Sequence, residues 1–77
     1  MHVVEFIGRI VRQALDQLSE EHRTVLMLGV VEGLSCREMA QVLDLPIGTV
    51  RSRLFRARMQ LRDKLKEVLH EDMDLRN

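Results

Sequence analysis

The residues with the clearest chemistry lie in one cationic segment, residues 47 to 66. This segment holds seven basic side chains and one acidic side chain, a net charge of +6, although the 77-residue chain is neutral overall. The flanking segments, residues 1 to 46 and 67 to 77, each carry a net charge of −3. A concentration of positive charge attracts phosphate even on a neutral protein. The segment therefore predicts a nucleic-acid partner.

No group of residues in the sequence indicates catalysis or metal binding. The sequence has no clustered carboxylate pair, no nucleophile beside a base and no glycine-rich phosphate loop, so we predict no enzyme activity and no cofactor. No second histidine or cysteine lies three or four residues from His2, His22 or His70, and we expect no metal site. A single cysteine, Cys36, fits a reducing compartment. Without a signal-like start or a long apolar run, we expect a cytoplasmic protein with no membrane span.

Composition predicts an all-α fold with an aliphatic core. Hydrophobic residues make up 45% of the chain but aromatic residues only 3%, so leucine, valine, isoleucine and methionine must fill the interior. A single proline and many good helix formers leave little material for a sheet. We assign residues 1 to 77 to one domain, in which residues 1 to 8 are interpreted as a linker remnant and residues 70 to 77 as a disordered tail.

Two helices are predicted in the first half of the chain. In residues 3 to 18 the apolar residues recur at steps of three and four, which forms one stripe on a helix. Ser19, followed by two glutamates, is a typical N-cap of a second helix. This helix runs through the apolar block 25 to 31 and stops at Gly33. Because it is apolar on nearly all sides, we expect it to be the most buried element, with Met27 in the core.

Two more helices are predicted in the second half. Ser35 and Glu38 have the spacing of a capping box at the start of a short third helix. The residues of this helix that we expect in the core are Met39, Val42 and Leu43. Residues 44 to 46 end it, because Pro46 disfavours helical geometry before it. The fourth helix begins near Ile47 and continues to Val68 or beyond, and at 100° per residue its core-facing residues are Val50, Leu54, Ala57, Leu61, Leu65 and Val68.

The third and fourth helices together match a helix-turn-helix, in which a short helix precedes a long recognition helix with an exposed basic face. An α-helix fits the major groove of DNA, and its first turns reach the base edges. The predicted base or groove contacts are Arg51, Ser52, Phe55 and Arg56. The predicted phosphate contacts are Ser35, Arg37, Thr49, Arg53 and Arg58.

Other interpretations of the same residues are open at this point. An arginine-rich helix face is often only solvated surface. Phe55 could instead pack on a neighbouring helix or on a dimer partner. The domain could be a protein-interaction module in which Phe55, Met59 and the basic face bind an acidic helix. A regulator of the LuxR type also has four helices and a Thr-Val pair at the start of its recognition helix.

Three stretches of the sequence strongly resemble region 4 of bacterial sigma factors of the extracytoplasmic-function group. They are LSEEHRTVL at residues 18 to 26, EGLS with EMA at residues 32 to 40, and GTVRSRLFRAR at residues 48 to 58. The resemblance covers roughly residues 10 to 69. Two positions depart from the common pattern, since Ser19 stands where proline is frequent and Asp44 where glycine is frequent. Serine caps a helix well and aspartate tolerates left-handed geometry, so neither change threatens the fold.

The resemblance implies a four-helix domain that recognises the −35 promoter element and docks on the flap of the β subunit of RNA polymerase. It also implies an anti-sigma factor as a partner. The groove and phosphate contacts that it assigns agree with those given above. The Ser-Arg-Leu that follows Arg51 and the cationic continuation to Lys66 favour this family over the LuxR type. The sigma region that melts DNA is absent, so we expect either an excised domain or a stand-alone protein, which in isolation binds promoters weakly.

Overall fold

The longest of the described helices contacts each of the others. A computed structural model describes residues 2 to 74, with side chains up to residue 71. It contains four helices: α1 (His2–Asp16), α2 (Glu20–Leu26), α3 (Cys36–Leu43) and α4 (Ile47–Asp74). Helices α1, α2 and α3 all contact α4, and residues 2 to 74 contain no strand. The predicted all-α fold with a helix-turn-helix and a long last helix is confirmed.

Two apolar clusters hold the helices against α4. The larger one joins α2 and α3 to the first half of α4, and its buried residues are Leu18, Val25, Leu26, Met39, Val50, Leu54 and Ala57. The smaller one joins α1 to the second half of α4 through Ile10, Ala14 and Val68. Leu61 and Leu65 of α4 are partly buried against these clusters. The predicted core stripe of α4 is therefore confirmed.

Helix α2 begins as predicted, and the helical segment ends before Gly33 as predicted, but its last turn is π-helical. Ser19 is its N-cap, and its side chain accepts a hydrogen bond from the backbone N–H of His22. After Leu26 the helix widens into a π-helical turn, Met27–Val31, which closes with the N–H of Glu32 donating to the carbonyl of Met27 at 3.1 Å. Gly33 then takes a positive φ of 72°, the left-handed geometry expected of a residue that ends a helix.

The expectation that this apolar helix is the most buried element is wrong. The π-helical turn contains no buried residue, Met27 is exposed rather than in the core, and the exposed fractions of Val30 and Val31 are 74% and 63%. The physical reason is the small size of the domain. Surface is large relative to volume in a chain of this length, so α2 buries only the face that meets α4.

Helix α3 and the turn after it follow the prediction with one exception. The capping box is complete, because Ser35 Oγ accepts from the N–H of Glu38 at 3.1 Å and Glu38 Oε1 accepts from the N–H of Ser35 at 2.8 Å. Asp44 ends the helix in left-handed geometry, with φ 56°. Met39 is buried, but the prediction that Val42 is in the core is wrong, since Val42 is 64% exposed. The only residue of this short helix that is fully buried is Met39, because a domain of this size leaves much of its apolar surface in solvent.

The segments at the two ends are helical as far as they are described. Residues 2 to 8 form the first two turns of α1, and α4 extends to Asp74. The interpretation of residues 1 to 8 as a linker remnant remains a prediction. The interpretation of residues 70 to 77 as a disordered tail falls partly on residues 75 to 77, which lie outside the described residues.

The capping box makes the stability of the protein depend on pH. The hydrogen bond from the Ser35 amide, with that from the Ser35 side chain, lowers the pKa of the Glu38 carboxyl below its ordinary value of 4.5. A carboxyl with a lowered native pKa stabilises the fold above its unfolded pKa, and this contribution is lost as the pH falls through the native pKa. We therefore expect the stabilisation to be complete near neutral pH and to decline below about pH 4.5.

Urea unfolding of the wild type and of Glu38→Gln tests this expectation. Glutamine keeps the capping hydrogen bond but carries no charge. The difference between the two proteins therefore measures the contribution of the charge on Glu38. The advantage of the wild type in free energy of unfolding should shrink between about pH 6 and about pH 3. The same difference between the two proteins at both pH values would contradict the prediction.

Candidate nucleic-acid interface

One face of α4 projects the predicted groove contacts into solvent. The four exposed residues are Arg51, Ser52, Phe55 and Arg56, and the buried residues of the same stretch of α4 are Val50, Leu54 and Ala57. Adjacent residues show the contrast best, because Leu54 is 8% exposed and Phe55 is 64% exposed. Phe55 is therefore not buried against a neighbouring helix of the domain, which was one of the alternatives left open by the sequence. An exposed aromatic side chain on a cationic helix face is available for a partner.

A polar groove runs between α2 and the first turns of α4. It has a volume of about 400 Å³, and its lining residues are Glu21, His22, Gly48, Thr49, Ser52, Arg53 and Arg56. We call it the polar groove. It brings together four of the residues predicted to contact DNA: two hydroxyl groups, from Thr49 and Ser52, and two guanidinium groups, from Arg53 and Arg56. Arg51, Phe55 and Arg58 lie on other parts of the exposed surface of α4.

Arg53 differs from the other arginines of α4 because it is half-buried. Its side chain is 24% exposed, and its Nη2 lies 4.0 Å from Glu21 Oε2. At 100° per residue, Arg53 lies about 60° from Val50 on the helix, so it borders the core on the side where α2 packs. The ion pair thus links α2 to α4 and uses part of the positive charge of Arg53. Its predicted phosphate contact remains a prediction.

The two predicted phosphate contacts on α3 lie at the amino terminus of that helix. Ser35 and Arg37 are both exposed. Both polar groups of Ser35 interact with Glu38, because the amide of Ser35 donates to Glu38 Oε1 and Ser35 Oγ accepts from the amide of Glu38. Arg37 can reach a phosphate with its side chain as well as with its backbone amide. These two contacts also remain predictions.

A second, apolar groove lies on the other side of α2. It is about 870 Å³ in volume and is formed by α1, α2 and the π-helical turn, with a lining of Gly8, Val11, Arg12, Leu15, Asp16, Arg23, Thr24, Met27, Leu28 and Val31. We call it the apolar groove. It shares no lining residue with the polar groove. A concave apolar surface rimmed by polar side chains is typical of a protein-binding site.

The apolar groove and the part that α2 plays in the polar groove were not predicted from the sequence. Glu21 was interpreted only as an acidic residue at a helix start, and His22 only as a poor candidate for a metal ligand. The sequence signal that could have indicated a role for His22 is its i, i+3 spacing from Ser19, because this spacing places the histidine beside the N-cap. The residues of the π-helical turn are apolar, so the sequence predicted that they are buried, although the structure exposes them.

Comparison with known proteins agrees with the resemblance seen in the sequence. The family described as Sigma-70, region 4 matches residues 8–61. The RNA polymerase sigma-H factor of Pseudomonas aeruginosa is 48% identical over 65 residues, which are 84% of this chain and 34% of that protein. The ECF RNA polymerase sigma-E factor of Haemophilus influenzae is 41% identical over 63 residues, 82% of this chain and 33% of that protein.

A similar relationship holds for the ECF RNA polymerase sigma-E factor of Escherichia coli, which is 38% identical over 65 residues, 84% of this chain and 34% of that protein. The chain therefore spans about a third of the length of the curated relatives it matches. In the part of the chain that the structure describes, no helix is both long and apolar enough to cross a membrane.

Proposed function

The chain belongs to the sigma-70 region 4 family, and from this premise we propose that it binds promoter DNA at the −35 element as part of an RNA polymerase sigma factor. The observation that carries the proposal is the outward face of α4, where Arg51, Ser52, Phe55 and Arg56 are exposed beside buried Val50 and Leu54. The family match supports a sigma-factor domain over a LuxR-type regulator. The proposed role is recognition, without catalysis.

The side chains of this face suit the edges of base pairs in the major groove. The guanidinium group of Arg56 can donate two hydrogen bonds to one guanine, and Ser52 can bond to either base type. The ring of Phe55 can press on the methyl group of a thymine. Thr49 and Arg58 are exposed on α4 and can bond to phosphates, which would hold the helix in register without reading sequence.

A binding titration distinguishes base contacts from phosphate contacts. It requires two duplexes, one selected from a randomised pool and one scrambled version. Arg56→Ala should weaken binding to the selected duplex by about 1–3 kcal/mol and relax the preference at one base pair. Arg58→Ala should weaken binding to both duplexes alike and reduce the slope of log K against log salt by about one unit.

The matched control is Arg12→Ala, which removes the same charge from the rim of the apolar groove instead of from α4. We expect this variant to bind both duplexes almost as the wild type does. Equal effects of Arg56→Ala and Arg58→Ala on the two duplexes would refute the assignment of their roles. If the three substitutions had the same effect, the exposed face of α4 would not be the DNA-binding surface.

For the second partner, we propose that the apolar groove binds the β flap of RNA polymerase core enzyme. Val11, Leu15, Met27 and Val31 give the groove an apolar floor, and burying apolar surface is the usual source of stability in such contacts. Because the two grooves share no lining residue, DNA and polymerase can be bound together. The anti-sigma factor that the resemblance implies is a third proposed partner, which would inhibit by covering either surface.

Val31→Asn and Val42→Asn test the role of the apolar groove. The two valines are exposed to nearly the same extent, 63% and 64%, but only Val31 lines the groove. An asparagine left without hydrogen bonds in a dry contact costs about 1–3 kcal/mol. We therefore expect Val31→Asn to weaken binding to purified core polymerase about tenfold and to leave duplex binding unchanged. Equal polymerase affinity of the two variants would contradict the proposal.

A further inference from the structure

His22 is the one titratable side chain of the polar groove to which neither the sequence nor the family resemblance assigns a role. It lines the groove together with Thr49, Ser52 and Arg56, three residues predicted to contact DNA. The histidine comes from α2 and the other three from the first turns of α4. A duplex that approaches Thr49 and Arg56 must therefore also approach the imidazole ring. The ring is partly exposed, so it can be reached from solvent.

The N-cap serine fixes the hydrogen-bonding state of this ring. Ser19 Oγ accepts from the backbone N–H of His22 at 3.4 Å and lies 3.0 Å from His22 Nδ1. In the neutral ring, the hydroxyl proton of Ser19 donates to Nδ1, so the ring carries its own proton on Nε2. In the charged ring, Nδ1–H donates to Oγ and Nε2 still carries a proton. Nε2–H is thus a donor in both states.

The charges around the ring favour an anion over a cation. The other charged residues that line the polar groove are Glu21, Arg53 and Arg56. The carboxylate of Glu21 lies 4.0 Å from Arg53 Nη2, which offsets much of its charge. Arg56 is exposed and has no acidic partner of this kind within the groove. A donor beside an arginine is a typical arrangement for binding a phosphate oxygen.

We propose that His22 binds a backbone phosphate of the promoter duplex through Nε2–H, with Ser19 Oγ holding the ring in position. This inference rests on the proposed function and extends the DNA contact from α4 to α2. It depends on a feature of this chain, because Ser19 stands where proline is frequent in the resembling family, and proline has no side-chain oxygen to hold the ring. The contact positions the duplex and reads no sequence.

Fluorescence anisotropy with the selected and the scrambled duplex measures the effect. His22→Ala should raise the Kd for both duplexes about three- to tenfold, the range expected for the net contribution of one solvent-accessible hydrogen bond. His22→Gln should recover most of the affinity, because its amide N–H reaches nearly the same place as Nε2–H. The control is His70→Ala, which lies about 21 Å along α4 from Arg56 and should bind as the wild type does.

Duplexes in which single phosphates are replaced by neutral methylphosphonates identify the contact itself. One replacement should weaken binding of the wild type and have no further effect on His22→Ala, whereas replacements elsewhere should affect the two proteins equally. Melting temperatures of the variants, measured without DNA, distinguish a loss of duplex affinity from a loss of protein stability.

Three results would overturn the inference. The first is wild-type affinity in His22→Ala. The second is a pattern of methylphosphonate effects that is the same in the wild type and in His22→Ala. In both cases the proposed function stands if Arg56→Ala still weakens binding to the selected duplex. The third is failure of the wild-type protein to bind any duplex at low salt, which would overturn the inference and the proposed function together.

Discussion

Burial of one stripe of α4 is the constraint on which the rest of the structure depends. Val50, Leu54 and Ala57 are sealed against α2 and α3, and Val68 is sealed against α1. Because each residue turns a helix by 100°, fixing this stripe also fixes the rotation of α4 about its own axis. The residues on the opposite side have no freedom to turn inward. The exposed face is therefore as well defined as the core, although it makes few contacts of its own.

Helix α2 gives the molecule two surfaces of different chemistry. One side of it meets the first turns of α4 and forms the polar groove, and the other side meets α1 and forms the apolar groove. Each surface suits one class of partner, since arginines and hydroxyl groups attract phosphate while an apolar concavity favours another protein. If the proposed function holds, the separate linings of the two grooves leave room for DNA and polymerase to bind at the same time. Met27 and Val31 of the exposed π-helical turn line the apolar groove.

The sequence predicted those features that local physics decides. The capping box of Ser35 and Glu38, the left-handed Asp44 and the core stripe of α4 depend on nearby residues or on helical periodicity, and all three are present. The burial of Met27 and Val42 depends on which helix faces pack against one another in the folded domain. The prediction that these two residues are in the core was therefore wrong. Apolar character alone does not distinguish a residue that is buried in the core from one that is exposed at the surface. The position of His22 beside Arg56 likewise depends on how α2 crosses α4, which no local pattern encodes.

Leu54 and Phe55 are neighbours on α4, but Leu54 is buried and Phe55 is exposed, and we propose that Leu54 stabilises the fold while Phe55 contacts the duplex. Measuring the free energy of unfolding and the duplex affinity of Leu54→Ala and Phe55→Ala tests it most directly. Leu54→Ala should destabilise the protein by about 2–5 kcal/mol, as expected for a buried leucine. Phe55→Ala should change stability by no more than about 0.5 kcal/mol and weaken duplex binding roughly tenfold. A Phe55→Ala variant that unfolds as readily as Leu54→Ala while binding DNA normally would contradict the account.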